Sequence, residues 1–323
     1  MRVLVIGGAG YIGSHMVRSL LKEKHDAIVF DNLSTGYREF IPEGAPFIKG
    51  DLRNGADIRG VFERHTIDAV MHFAASSLVP ESMSNPLKYY DNNVLACINL
   101  LKAMVENKVK KFIFSSTAAV YGEPENIPIK ENDKTSPTNP YGMSKLMIEN
   151  ILKDASRVHD VSYIALRYFN AAGAHPSGET GEKHIPETHL IPNILKAAKG
   201  EKSEVTIFGD DYQTPDGTCI RDFIHVQDLC RAHLLALKAL KEGMKSDVFN
   251  LGSGSGYSVK EVVRTTEGVT GRKINVKIAP RRPGDPARLV AGAERAQKVL
   301  GWRPELDLNE IIQSAWAWEG RGS

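Results

Sequence analysis

The run "RVLVIGGAGYIG", from Arg2 to Gly13, carries a β-branched strand straight into a helix through glycines at fixed intervals. Few loops leave a chain so little choice of fold. Gly8-x-Gly10-x-x-Gly13 and the overlapping Gly7-x-x-Gly10-x-x-Gly13 are both present. The glycines serve a tight strand-to-helix turn, close approach of a pyrophosphate to the backbone, and close packing of helix on strand. The helix N-terminus then attracts the anion. Asp31 closes the second strand, at roughly the 20-residue distance where a carboxylate accepts hydrogen bonds from adenosine ribose hydroxyls and repels a 2′-phosphate. The pattern predicts NAD rather than NADP. The competing role for Asp31 is simply to open the turn "DNLSTG".

Further short β-branched or aromatic runs, "AIVF", "AVMHF", "KFIFSS" and "YIALRYF", alternate with helical-length segments such as Tyr11 to Lys24 and Leu87 to Asn107. That rhythm reads as βαβ units, an α/β fold of the Rossmann type with a doubly wound parallel sheet. After Asn170 it breaks into "AAGAHPSGETGEKHIPETH", which places a domain boundary near Ala172. Residues 1–172 are then a dinucleotide-binding domain and 173–323 a smaller mixed α/β substrate domain. The later strand "DVFNLG" and the helix around Asp228 to Leu240 are expected to fold back on the first domain.

A chain of 323 residues exceeds the size at which one core usually keeps growing. Its 42% hydrophobic and 25% charged residues are those of a soluble globular enzyme. A net charge of +2 argues against nucleic acid or anionic membrane as partner. Cys97, Cys219 and Cys230 show no Cys-x-x-Cys spacing, so neither a disulfide framework nor a zinc site is expected, and a reducing cytoplasmic setting is. The apolar run after Met1 is too short for a signal peptide, and no stretch of about 18 apolar residues is present to span a bilayer.

The segment "NPYGMSK" places Tyr141 and Lys145 at i and i+4, on one face of a helix that Pro140 helps to start. A phenol of ordinary pKa about 10 is a poor base at neutral pH, but a nearby ammonium and an oxidised nicotinamide both favour the phenolate. Upstream, "KFIFSST" ends in Ser115, Ser116 and Thr117, at the carboxyl end of a parallel strand, where open α/β sheets bind ligands. Glycine loop, hydroxyl and Tyr/Lys pair occur in the order a hydride-transfer enzyme needs.

On these motifs the chain resembles the extended short-chain dehydrogenase/reductase family, and within it the UDP-glucose 4-epimerases. The likeness spans "GGAGYIGSH", "DNLSTG", "GDLRN", "HFAA", "YYDNNV", "FSSTAAVYG", "PYGMSK", "LRYFNAAGAHPSG", "DGTCIRDFIHVQDL", "NLGSG" and "APRRPGDPA". It implies tightly held NAD, Tyr141 as the base at the sugar 4-hydroxyl, Thr117 on the 4-oxygen, and Lys145 on the nicotinamide ribose. A 4-keto sugar nucleotide turns in the site and is reduced on its other face. The same matching puts Gly7, Gly10, Tyr11, Ile12, Gly13, Asp31, Asn32, Asp51, Leu52, Phe73, Ala74, Ala75, Asn92 and Phe169 around NAD. Threonine at 117 replaces a serine common in the family and keeps the hydroxyl. A homodimer through helices near Leu87 to Asn107 and Tyr141 to His159 is implied as well.

For the diphosphate, planar guanidinium groups are suited, and Arg221 and Arg282 are the candidates. The resemblance adds Asn170, His189, Leu190 and Phe208 around sugar and uracil, Asp285 on the uridine ribose, and Leu289 near the sugar 2-substituent. Arg281 and Arg288 read as surface charges. His72, His175, His184 and His189 show no metal-ligand spacing, and no metal is expected. Trp302, Trp316 and Trp318 read as packing residues. Three alternatives remain: a UDP-N-acetylglucosamine epimerase, a sugar-nucleotide dehydratase or decarboxylase, and a silent NAD-binding sensor. A dehydratase needs an acid beside the catalytic hydroxyl, and here Ala118 and Ala119 follow Thr117.

Overall fold

The computed structural model describes residues 1–282 and 285–322, leaving Pro283 and Gly284 of "APRRPGDPA" outside the described residues. The fourteen strands are, in chain order, β1 (Arg2–Ile6), β2 (Asp26–Asp31), β3 (Phe47–Lys49), β4 (Ala69–His72), β5 (Lys111–Ser115), β6 (Ser162–Arg167), β7 (Asn170–Ala172), β8 (Val205–Phe208), β9 (Ile220–Arg221), β10 (Phe223–His225), β11 (Asp247–Asn250), β12 (Tyr257–Ser258), β13 (Val276–Ala279) and β14 (Arg288–Leu289). Seven of them form one sheet in the order β11-β6-β5-β4-β1-β2-β3, with all its pairings parallel. The order reverses between β1 and β4, which opens a crevice at their carboxyl ends.

Alternate side chains of each strand serve opposite faces. Val3, Val5, Val29, Met71 and Ile113 join one core with the Tyr11–Lys22 and Val226–Lys241 helices, while Leu4, Ile28, Phe30, Val70 and Phe112 join a second with the Gly55–Arg64 and Ala96–Glu106 helices. Buried on both sides, the strands read as nearly continuous apolar runs. β11 comes from beyond residue 172, yet it pairs with β6, and the Val226–Lys241 helix packs on the Tyr11–Lys22 helix and on β5 and β6. A third core gathers Ile191, Ile194, Val205, Ile207, Val262 and Ile311 under the later helices.

One expected element has a different form. Leu87 to Asn107 is not a single α-helix but a short turn Pro86–Tyr89, a π-helical segment Tyr90–Leu95 and the helix Ala96–Glu106. Wider turns of this kind re-aim side chains and recur at functional sites. Here they carry Asn92 and Asn93.

Candidate active site

The glycine loop is shaped by contacts that tolerate no side chain. Gly7 has φ +79°, and a Cβ there would lie 2.6 Å from the Ala74 nitrogen, where the ends of β1 and β4 meet. At Gly13 a Cβ would lie 2.1 Å from the Gly7 carbonyl oxygen. Gly10 caps the following helix without a side chain, and the first turn, which includes Tyr11 and Ile12, holds no acid, so the helix N-terminus favours an anion. Asp31 takes the turn-opening role: its buried carboxylate accepts from the Ala9 N–H at 3.0 Å and the Leu33 N–H at 2.8 Å. Burial raises its pKa, opposed by those two bonds. Asn32 donates to Asp51 at 3.1 Å, and Arg53 pairs with the same carboxylate at 2.7 Å. The Arg53 bonds hold Asp51 well below the usual carboxylate range. Leu52 beside it is buried. The dinucleotide side of the crevice thus offers a glycine cradle and a carboxylate at the end of β2, which fit NAD.

Thr117 follows β5 and caps the short 3-10 turn Ala118–Tyr121, its hydroxyl oxygen accepting from the Ala119 N–H at 3.1 Å. Across from it Asn139 caps the Pro140–His159 helix by accepting from the Gly142 N–H at 2.8 Å. Gly142 is the hinge of this meeting, because a Cβ there would lie 2.6 Å from the Ala119 carbonyl oxygen. The helix start is therefore pressed onto the turn, which brings the Tyr141 phenol to the side of Thr117. Burial pushes that phenol above its ordinary value, and Thr117 pulls it back. Lys145 is buried, donates to the Ser115 carbonyl at 2.9 Å and sits 4.8 Å over the Phe114 ring. Burial lowers its pKa to about 8.

Around this trio lies a set of polar groups, of which the sequence singled out only Ser116 and Asn92. Ser116 donates to Glu149 at 2.5 Å, Arg167 donates to the same carboxylate at 2.9 Å and to the Tyr121 hydroxyl at 2.7 Å, and Tyr121 reaches Asn250 at 2.7 Å. The chain of bonds links β5, the catalytic helix, β6 and β11. Asn93 ties the π-helical segment to Ser144 at 2.9 Å and to the Ser76 backbone, while Asn92 donates to the Ser76 hydroxyl at 3.1 Å, just past Ala74 and Ala75. The signal available was only the hydroxyl and carboxamide content of "FAASS" and "DNNV". Phe73 packs against His233, ring centroids 4.8 Å apart.

On the other wall, Asn170 donates to the Asp222 carbonyl at 2.8 Å, and Leu190 opens the Leu190–Ala198 helix. The Arg282 guanidinium lies 3.9 Å from the Phe208 ring centroid, and Arg221 forms an ion pair with Asp285. Leu289 pairs in register with Arg221 and, with Phe169, packs on the cluster of Ala118, Val120, Tyr121 and Ile129 that follows Thr117. Arg281 is instead bonded to the exposed Asp211 at 2.6 Å. Trp302 is fully buried. The histidines differ from the sequence expectation in one respect. His72 is buried without a hydrogen-bond partner, but His184 and His189 come together with Glu182 and Glu187.

The "NAD dependent epimerase/dehydratase family" model matches residues 3–252. The chain belongs to this family. A UDP-glucose 4-epimerase of Halalkalibacterium halodurans is 52% identical over 319 residues, 98% of this chain and 95% of that protein. Among solved structures, the UDP-glucose 4-epimerase from Bifidobacterium longum in complex with NAD+ and UDP has TM-score 0.93 at 42% identity, covering 99% of this chain and 98% of that one. The UDP-Glc/GlcNAc 4-epimerase from Campylobacter jejuni has TM-score 0.88 at 46% identity, covering 99% of each. Within an NAD dependent epimerase/dehydratase fold, the crevice between β1 and β4 has the hydroxyl of Thr117, the phenol of Tyr141 and the ammonium of Lys145 beside it.

Proposed function

We propose that the chain is a UDP-glucose 4-epimerase, interconverting UDP-glucose and UDP-galactose through a 4-keto sugar. The observation that carries this reading is the close approach of the Pro140–His159 helix, at Gly142, to the turn that follows Thr117, in a chain alike almost end to end to UDP-glucose 4-epimerases. Gly7, Gly10, Gly13 and Asp31 would hold NAD, with Tyr11, Ile12, Asn32, Asp51, Leu52, Phe73, Ala74, Ala75, Asn92 and Phe169 around it. When bound, NAD would supply a reversible hydride acceptor for the sugar. Tyr141 takes the proton from the 4-hydroxyl as the carbon loses hydride, and returns it when hydride comes back on the opposite face. Thr117 orients the 4-oxygen. Lys145, anchored on the Ser115 carbonyl, would hold the nicotinamide ribose and favour the phenolate by its charge.

In this reading Arg221 and Arg282 would meet the diphosphate, with Phe208 as an apolar platform beside Arg282 and Asp285 for the uridine ribose. Asn170, His189 and Leu190 border the sugar. The protein acts as a cytoplasmic homodimer in this reading. Its three cysteines are free and buried, and Leu87 and Val158, 76% and 75% exposed, lie on the two segments that would meet a second copy.

Dehydration has less support, since Thr117 is followed by buried Ala118 rather than an acid. Incubation with a panel of UDP-glucose, UDP-galactose and UDP-N-acetylglucosamine, products separated by chromatography, tests the assignment. Epimers of the unmodified hexoses are expected. A 4-keto-6-deoxy product would make the protein a dehydratase, and no turnover would leave a sensor.

A further inference from the structure

The connection from Gly173 to His189 runs along the helix that follows the glycine loop. The Tyr11 hydroxyl donates to the Gly173 carbonyl, the Ser14 and Thr180 hydroxyls meet at 3.0 Å, and Arg18 pairs with Glu179 at 2.7 Å. Past these tethers the chain turns back, and four side chains converge. His189 Nδ1 lies 2.9 Å from a carboxylate oxygen of Glu182 and 2.9 Å from one of Glu187. His184 Nδ1 lies 3.4 Å from Glu182 and 3.7 Å from Glu187. All four donor atoms fall within 4.8 Å of one another.

The His184 nitrogen is shut off from water and forms no hydrogen bond. It points between two carboxylates at a distance long for a bond to either. That spacing is what donors around a shared cation show: at zinc–ligand distances of about 2.0–2.2 Å, neighbouring ligands of a tetrahedron stand about 3.4 Å apart. We propose that Glu182, His184, Glu187 and His189 form a binding site for a zinc-class divalent ion. Two imidazoles and two carboxylates suit a borderline late first-row metal, whereas calcium and magnesium prefer oxygen alone.

The site has a structural consequence. Its ligands bracket the turn just before the Leu190–Ala198 helix, and the His184 ring lies edge-on to Tyr11, centroids 6.5 Å apart. A bound ion fastens this connection over the first turn of the dinucleotide helix.

Holoenzyme dialysed against a chelator and titrated with zinc chloride by calorimetry, with magnesium chloride as comparison, tests the site. The expected result is about one tight zinc per chain, no comparable magnesium binding, and a melting temperature that rises with zinc. Loss of supporting groups alone costs metal sites 10- to 100-fold in affinity. His184→Ala is therefore expected to weaken zinc binding by at least roughly 100-fold and to abolish the zinc-dependent rise in melting temperature. Glu187→Gln, which keeps shape and hydrogen bonding, reports the same if the alanine variant fails to fold. Zinc uptake that neither substitution changes would place the ion elsewhere and overturn the proposal. So would wild-type protein that takes up none, leaving the four residues as imidazolium–carboxylate pairs.

Discussion

The Tyr141 phenol lies beside Thr117, and the Lys145 ammonium is bonded to the Ser115 carbonyl. The two groups therefore make separable contributions. Tyr141→Phe keeps the ring and the packing while removing the proton carrier, and positioned proton transfer is worth about 10²–10⁴-fold. Epimerisation should fall by that factor with nucleotide binding retained, as measured by steady-state kinetics and equilibrium titration; Thr117→Val should act in the same direction. Lys145 has a pH signature of its own. Its folded pKa of about 8 lies below the ordinary 10.5, so between those values the unfolded chain binds more protons and stability rises with pH. The destabilisation is complete below about 8, on the order of 3 kcal/mol, and gone above the unfolded value. Denaturant titration of cofactor-stripped protein from pH 7 upward should therefore show wild type gaining on Lys145→Met as pH rises; a pH-independent difference would refute the buried-charge account. At Leu289, leucine is intermediate between a blocking tyrosine and an open serine. Differences of about one methylene are worth roughly 1–3 kcal/mol, or 10- to 200-fold. Leu289→Tyr should disfavour acetamido sugars relative to plain hexoses and Leu289→Ser should favour them, read as a ratio of kcat/KM values.

The elements show why some of this was legible from sequence and some was not. β1, β2, β4, β5 and β6 announce themselves as apolar runs because a parallel sheet buries both faces, and "DVFNLG" was readable as a late strand. β3, only Phe47–Lys49, was not, being a short edge strand with little periodicity. The Tyr/Lys pair was legible through i, i+4 geometry. The Glu149–Arg167–Tyr121–Asn250 network was not, since its members are up to 129 residues apart and each looks like an ordinary polar residue until the sheet closes. The same holds for His184 and His189, whose carboxylate partners match no familiar ligand spacing. Gly142 was passed over because "YGMSK" does not reveal which backbone the helix will press against. Gly13 gives the sharpest element-level test. A Cβ there would need to displace the Gly7 carbonyl, so Gly13→Ala should destabilise the protein by more than the roughly 1–3 kcal/mol of ordinary overpacking and should impair dinucleotide retention. Gly10→Ala, with its nearest contact at 3.3 Å, should be milder in denaturation.

At the scale of the whole molecule, a parallel sheet carries the glycine loop and ends beside Thr117, Tyr141 and Lys145, and the later segments form the opposite wall. β11 and the Val226–Lys241 helix are built into the sheet's own cores, so the two walls are held in one packed body. That arrangement suits a reaction in which hydride leaves and returns to the same carbon, with no need for the cofactor to exchange between turnovers. The most direct measurement takes the purified protein with no nucleotide added, supplies UDP-galactose alone, and follows the sugar nucleotides while a denatured portion is analysed for released cofactor. The account predicts UDP-glucose accumulating to equilibrium at constant total UDP-hexose, with NAD released from the denatured protein. Release of NADP, or protein that stays inactive even when NAD is supplied, would contradict it.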